Sequence, residues 1–87
     1  MPHFVYIIHS TIHDKYYKGY SLNPLQRLQF HNLGKSRWTS NFTPWKLVFI
    51  QAFESKKEAL IRERKLKKYS KNQILDLIKS RVNELNR

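Results

Sequence analysis

HFVYIIH over residues 3–9 and KYYKGY over residues 15–20 decide how the rest of the chain is read. Both runs are β-branched and aromatic, and the polar stretch from Ser10 to Asp14 separates them, which is the pattern of a β-hairpin. Side chains alternate along a strand, so Tyr6 shares a face with Phe4 and Ile8, and Tyr17 shares one with Gly19. A glycine inside a strand gives up side-chain packing and often marks a place where another group approaches the backbone.

The remaining elements follow in order. Asn23-Pro24-Leu25-Gln26 sets a capping residue before a proline at the first helical position, with Gln26 placed to reach back to the cap, and Gly34 follows the last turn. This predicts a short helix from about 24 to 33. Residues 35–44 have no period and are rich in Ser, Thr, Asn and basic side chains, as an exposed loop is. Lys46 to Phe53 reads as a third strand, with Trp45, Leu47, Phe49 and Phe53 on one face and Val48, Ile50 and Ala52 on the other. Because both faces are apolar, the expectation is a central strand covered on both sides. Ser55-Lys56-Lys57-Glu58 opens a second helix to about Tyr69. Ser70-Lys71-Asn72-Gln73 opens a third, with Ile74, Leu75, Ile78, Val82 and Leu85 at helical spacing. The order β-β-α-β-α-α predicts an α+β domain over residues 1–87, built on a small, mainly antiparallel three-stranded sheet flanked by helices.

Seventeen Lys and Arg against six Asp and Glu give a formal charge of +11, a self-repulsion that points to a polyanionic partner. Nucleic acid is the first candidate and DNA the first form of it. A membrane is not expected, since no apolar run approaches the roughly 20 residues of a spanning helix. The N-terminal run has no basic segment or small-residue cleavage site, and the chain has no cysteine. Disulfides and cysteine-based zinc sites are therefore excluded, and a cytoplasmic protein is expected.

Three placements stand out as chemistry. In the second helix Ala59, Leu60 and Leu66 form the apolar stripe, and Glu63 falls inside that stripe. A carboxylate aimed at a core needs a cation beside it, either a metal ion or an ion-pair partner such as Lys67 or Arg62. In the first helix Arg27 and His31 lie four apart and project along one edge. Tyr6 and Tyr17 read, taken singly, as core tyrosines with satisfied hydroxyls. Eight basic residues lie between Lys56 and Lys71. Lys65, Lys67 and Lys68 from that run, with Lys18, Lys35 and Arg37 elsewhere, are the side chains expected to meet phosphates. His3, His9 and His13 have no metal-ligand spacing and read as surface residues.

Phe4-Val5-Tyr6, ten intervening residues, and Tyr17-Lys18-Gly19 together resemble the paired signature of the GIY-YIG endonuclease superfamily. Arg27 and His31 on the next helix and Glu63 on a later one fit that family's places. So do His31-Asn32, Thr39-Ser40, Pro44-Trp45-Lys46-Leu47-Val48 and Glu63-Arg64-Lys65-Leu66-Lys67-Lys68, over most of the chain up to about residue 80. These resemble the small stand-alone members related to the N-terminal nuclease domain of the excinuclease ABC C subunit. The chain departs from the family pattern at three positions: Phe4 stands for the first glycine, Tyr20 for a lysine of the repair-type members, and Leu75 for an asparagine, with Asn72 nearby. The resemblance implies a divalent-metal-dependent endonuclease in which Glu63 binds one Mg2+ or Mn2+ ion. It also implies that Tyr6 or Tyr17 positions or deprotonates the attacking water, that Arg27 holds the phosphate, and that His31 orients the nucleophile or relays a proton. The alternatives are a nucleic-acid-binding module with this fold and little or no cleavage, and a basic adaptor that docks through a spare stripe of Ile74, Ile78 and Val82.

Overall fold

A computed structural model describes all residues, Met1–Arg87. The elements are β1 (His3–Ser10), β2 (Tyr16–Ser21), α1 (Pro24–Asn32), a 3-10 turn at Thr39–Phe42, β3 (Trp45–Phe53), α2 (Lys56–Leu66), α3 (Lys71–Lys79) and a second 3-10 turn at Glu84–Asn86. The strands form one antiparallel sheet in the order β2-β1-β3. The hairpin closes at Asp14, whose positive φ of 53° is a left-handed conformation that Asp tolerates better than most residues. Its carboxylate is held by His9 and by Lys71 at the start of α3.

The helix boundaries are set by their caps. The Asn23 side chain accepts the Gln26 N–H at 3.1 Å. Asn23's own N–H donates to the Ser21 hydroxyl at 2.9 Å, so Ser21 has the role expected of Gln26. Gly34 takes the left-handed position after α1, with φ of 76°. Ser55 caps α2, which ends at Leu66 rather than Tyr69 because the N–H groups of Lys68 and Tyr69 bond three residues back, to the carbonyls of Lys65 and Leu66. Ser70 and Gln73 form a reciprocal capping box on α3.

Two features of the sheet differ from the sequence expectation. β1, not β3, is the central strand. The β1–β3 register also slips between Ile7, opposite Phe49, and Ile8, opposite Leu47, which leaves Val48 as an extra residue in β3. Such a bulge reverses the alternation. Trp45 and Leu47 therefore pack with Tyr6, Ile8 and Leu28 on the α1 face. Phe49, Val48 and Phe53 pack with Val5, Ile7, Ala59, Leu66, Ile74 and Leu77 on the α2–α3 face. One strand thus serves two cores.

The expected third-helix stripe is also divided. α3 stops at Lys79, so Val82 and Leu85 lie beyond it and are partly exposed. Ile74 and Ile78 are taken up by the larger core, and no spare stripe is left for an adaptor. The turn after α3 covers the outer edge of β3 instead. Buried Asn83 accepts the N–H groups of Ile50 and Leu85 and donates to the carbonyls of Val48 and Ile78. Glu84 accepts the N–H of Ala52. An open strand edge is a template for unwanted pairing, and these two side chains occupy it.

Asn83→Ala removes the partner of four backbone groups at once. It should lower stability by about 2–4 kcal/mol in urea unfolding at an unchanged m-value. A loss below about 0.5 kcal/mol, the size of an ordinary surface substitution, would show that the edge does not depend on this residue.

Candidate active site

β1 presents Tyr6 opposite Gly19 of β2. The absence of a side chain there is a steric requirement. A Cβ on Gly19 would lie 2.5 Å from both Cζ and the hydroxyl of Tyr6, so the phenol ring lies directly against the glycine backbone. Tyr6 is 1% exposed. Its hydroxyl meets Nε2 of His31, from the last turn of α1, at 2.9 Å. The other ring nitrogen of His31 meets Oγ1 of Thr39 at 2.8 Å. Thr39 in turn donates to the Ser36 carbonyl at 3.5 Å.

The far end of this chain favours one direction, because the Ser36 carbonyl can only accept. Thr39 that donates to Ser36 accepts from Nδ1–H, which leaves Nε2 as the acceptor for the Tyr6 hydroxyl. His31 is fully buried, and burial, with the Arg27 charge second, pushes its pKa down to about 4. It is a neutral base at neutral pH.

Tyr6 is pushed the other way, to about 12. Burial is the largest cause. The nearby Arg27 guanidinium opposes it by favouring the phenolate, while Tyr17 and Glu63 add to it. In the protein alone desolvation wins, and Tyr6 keeps its proton unless a base takes it.

Arg27 is half-buried and stacks its guanidinium over Phe30, 4.2 Å from the ring centroid. With Gln26, Gln29, Phe30, Leu33 and Lys35 it lines a hollow open to solvent. Tyr17 lies between the buried pair and the surface, its ring 4.8 Å from that of His31 and 6.3 Å from that of Tyr6.

Glu63 comes from α2, which Ala59 and Leu66 pack against the opposite face of the sheet. Its side chain is 17% exposed, and its ion pair is with Lys67 at 3.7 Å, whose own side chain is 57% exposed. The carboxylate acts on Tyr6 through its charge, without a hydrogen bond to the cluster. The cation in this pair is solvated, so Glu63 is not half of a buried ion pair.

The expected phosphate-binding residues divide between two regions. Lys35 and Arg37 are exposed near α1, and Lys65, Lys67 and Lys68 are exposed on and after α2. Lys18 departs from expectation. It lies on the face of β2 opposite Tyr17 and Gly19, half-buried, with its pKa lowered by burial. Tyr20, at the family's lysine position, is occupied by a 2.7 Å hydrogen bond to His3 and by Lys56 over its ring. Leu75 is half-buried and Asn72 exposed.

Thr39 is the residue of this cluster whose role sequence reasoning missed. It lies in an aperiodic stretch taken for an exposed loop, yet it is fully buried, and its carbonyl accepts the Trp45 indole N–H at 2.8 Å. Asn32 also ties this segment down, with its amide donating to the Trp45 carbonyl and its oxygen accepting the Trp45 N–H. The signal in the sequence was the match of Thr39-Ser40 to the family's places, which gives Thr39 no role, and its spacing of eight from His31 fits no periodicity rule.

Comparison with known proteins gives a consistent result. The family model of the GIY-YIG catalytic domain matches residues 2–75. A UPF0213 protein of Staphylococcus haemolyticus is 38% identical over 80 residues, covering 91% of this chain and 96% of its own length. A UPF0213 protein of Staphylococcus aureus matches to the same extent. The solution NMR structure of a UPF0213 protein from Bacillus halodurans is similar, with a TM-score of 0.59 and 30% identity. It covers 98% of this chain and 90% of that one. No helix in the structure is long and apolar enough to cross a membrane.

The burial of neutral His31 makes stability depend on pH. Between its ordinary 6.5 and its folded value of about 4, the unfolded chain binds the proton and the folded chain does not. Stability should therefore fall as pH drops through that window. The Asp14 carboxyl, held below 3.8 by Lys71 and His9, acts only at lower pH, so the two effects separate. Urea unfolding from pH 7 to pH 4 should show the slope in the wild type and a reduced slope in His31→Gln. Equal slopes would mean that His31 is not the titrating group.

Proposed function

The chain belongs to the GIY-YIG catalytic-domain family, a nuclease family whose substrate is nucleic acid, and on that premise we propose that it is a divalent-metal-dependent DNA endonuclease in which Tyr6 is the general base. The observation that carries this reading is the buried hydrogen-bonded chain from Tyr6 through His31 to Thr39. The Tyr6 hydroxyl donates to the neutral imidazole 2.9 Å away and keeps its oxygen lone pairs for the proton of the attacking water, so the two form a relay in which Tyr6 passes one proton on as it takes another, and the negative charge of a bound phosphate favours the proton on His31. As the oxygen of the attacking water bonds to phosphorus, its proton passes to the Tyr6 oxygen and the Tyr6 proton passes to His31 Nε2. The strand's P–O bond then breaks and its electron pair leaves on the departing oxygen.

Arg27 is the phosphate clamp. Its planar guanidinium, fixed over Phe30 and open to the hollow it shares with Lys35, can offer two parallel N–H groups to a phosphate. It stabilises charge both on the phosphate and on the Tyr6 oxygen. Tyr17 screens the buried pair from solvent and holds the His31 ring by contact. The exposed lysines near α1 and on and after α2 bind the strand's other phosphates.

The donor set also bears on the metal. No cluster of three or more His, Cys, Asp or Glu converges anywhere in the structure. Glu63 is a single shielded carboxylate loosely paired with a solvated lysine. That fits a single Mg2+ or Mn2+ ion for which Glu63 would be the protein ligand, and not a fully protein-bound or two-metal site. Bound there, the ion would polarise the phosphate and stabilise the leaving oxygen. Repair or recombination is the proposed context.

Nicking of supercoiled, branched and single-stranded DNA with Mg2+, Mn2+ or EDTA tests the proposal through two isosteric variants. Tyr6→Phe should lose about a hundredfold or more in rate at a stability loss of about 1 kcal/mol. Glu63→Gln should abolish metal-dependent nicking and change stability by less than about 0.5 kcal/mol, since its partner is a solvated lysine. A Glu63→Gln variant that still cuts removes Glu63 from the site. Binding without nicking of any substrate in either metal would establish the non-catalytic nucleic-acid module instead.

A further inference from the structure

Trp38 is the one aromatic residue among the large exposed apolar side chains, with 45% of its surface open. Isolated exposed apolar residues need no explanation in general, but the position of this ring is specific. It stacks on Tyr17 at 6.3 Å with planes 30° apart, and Tyr17 in turn lies 4.8 Å from the His31 ring. An open indole therefore stands one aromatic ring away from the group that receives the Tyr6 proton.

The segment presenting it is well fastened. Thr39, the next residue, is bonded through its side chain to His31 and through its carbonyl to the Trp45 indole. Ser40 N–H donates to the Ser36 carbonyl at 2.9 Å and Asn41 N–H to the Trp38 carbonyl at 3.3 Å, closing a turn around the ring. Phe42 and Trp45 support it from behind, at centroid distances of 4.9 and 6.1 Å. The flanking Arg37 and nearby Lys35 are exposed, and Lys35 also lines the hollow that holds Arg27. A rigid half-open indole, cations beside it and a phosphate clamp nearby make the combination that single strands use, with stacking for the base and charge for the backbone.

We propose that Trp38 is a stacking platform for one unpaired nucleobase next to the phosphate held by Arg27, so that the protein takes nucleic acid with unpaired bases in preference to continuous duplex. The bases of an intact duplex are already stacked on each other and present no face to the ring. A base freed at a single strand, fork or loop does. Stacking needs only a π face, so this subsite adds preference for strand state without adding preference for sequence. The proposal deepens the nuclease reading above and rests on it for the position of the phosphate, but its test does not require cleavage.

In EDTA, with the full chain, tryptophan fluorescence and binding are followed together. The ligands are a single-stranded oligodeoxynucleotide, its RNA counterpart, its full duplex, and a strand of the same length that is abasic throughout. Trp45 is only 4% exposed and serves as the internal reference. The expected result is quenching by the base-bearing single strand and little by the duplex or the abasic strand, although both bind through charge. The DNA and RNA arms show which sugar is accepted. Trp38→Leu, which keeps apolar bulk, should lose roughly tenfold in single-strand affinity with duplex affinity unchanged, and Trp38→Phe should retain most of it. Equal quenching by abasic and base-bearing strands, or a Trp38→Leu variant with undiminished single-strand binding, would overturn the proposal whether or not the protein nicks DNA.

Discussion

The ring of Tyr6 lies against the bare backbone of Gly19, and the arrangement of the candidate site depends on that contact. With any Cβ at position 19 the phenol would have to move, since its own Cζ and hydroxyl already occupy the space. Where it lies, the hydroxyl reaches His31, which reaches Thr39, and the turn at Thr39–Phe42 is thereby fixed to α1. The β-bulge at Val48 supports the same arrangement from the other edge. It turns Trp45 and Leu47 toward Tyr6 and Ile8, while Phe49 continues to fill the core under α2 and α3. A three-stranded sheet can have a reactive cluster on one face and a packed core on the other because its edge strand changes face midway.

The electrostatics follow from burial more than from the large positive charge. A formal charge of +11 favours the charged form of every phenol near it, yet desolvation outweighs the nearest guanidinium at Tyr6 and holds the proton in place. The same desolvation keeps His31 uncharged. Two effects with one cause thus produce a donor and an acceptor side by side. The positive charge lies largely on the outside, where Lys35, Arg37, Lys65, Lys67 and Lys68 are solvated.

Features with a local physical cause were legible in the sequence. The hairpin, the caps at Asn23, Ser55 and Ser70, and the left-handed Gly34 each depend on a few neighbouring residues. Gly19 was legible as a close approach, though not as an approach by Tyr6, because strand register joins residues thirteen apart. The strand WKLVFIQAF misled because it is apolar at nearly every position, so no alternation marks where Val48 breaks it. Thr39 and Asn83 were hidden for a shared reason. Each is a short polar residue in an aperiodic stretch, and its importance comes from backbone and side-chain groups brought to it by the fold, His31 for one and β3 for the other. That Glu63 is a shielded carboxylate was legible from the apolar stripe around it, but whether its cation would be buried or solvated is a tertiary fact.

Everything proposed for Tyr6 turns on where one proton sits, and nitrogen-15 NMR of the His31 ring reads that position without substrate, metal or turnover. At neutral pH, Nδ1 should be protonated and Nε2 bare, with the Nε2 resonance shifting in Tyr6→Phe, where the hydroxyl that it accepts is gone. A proton on Nε2, or on both nitrogens, would mean that His31 cannot take the Tyr6 proton, and the phenol would then have no base within reach.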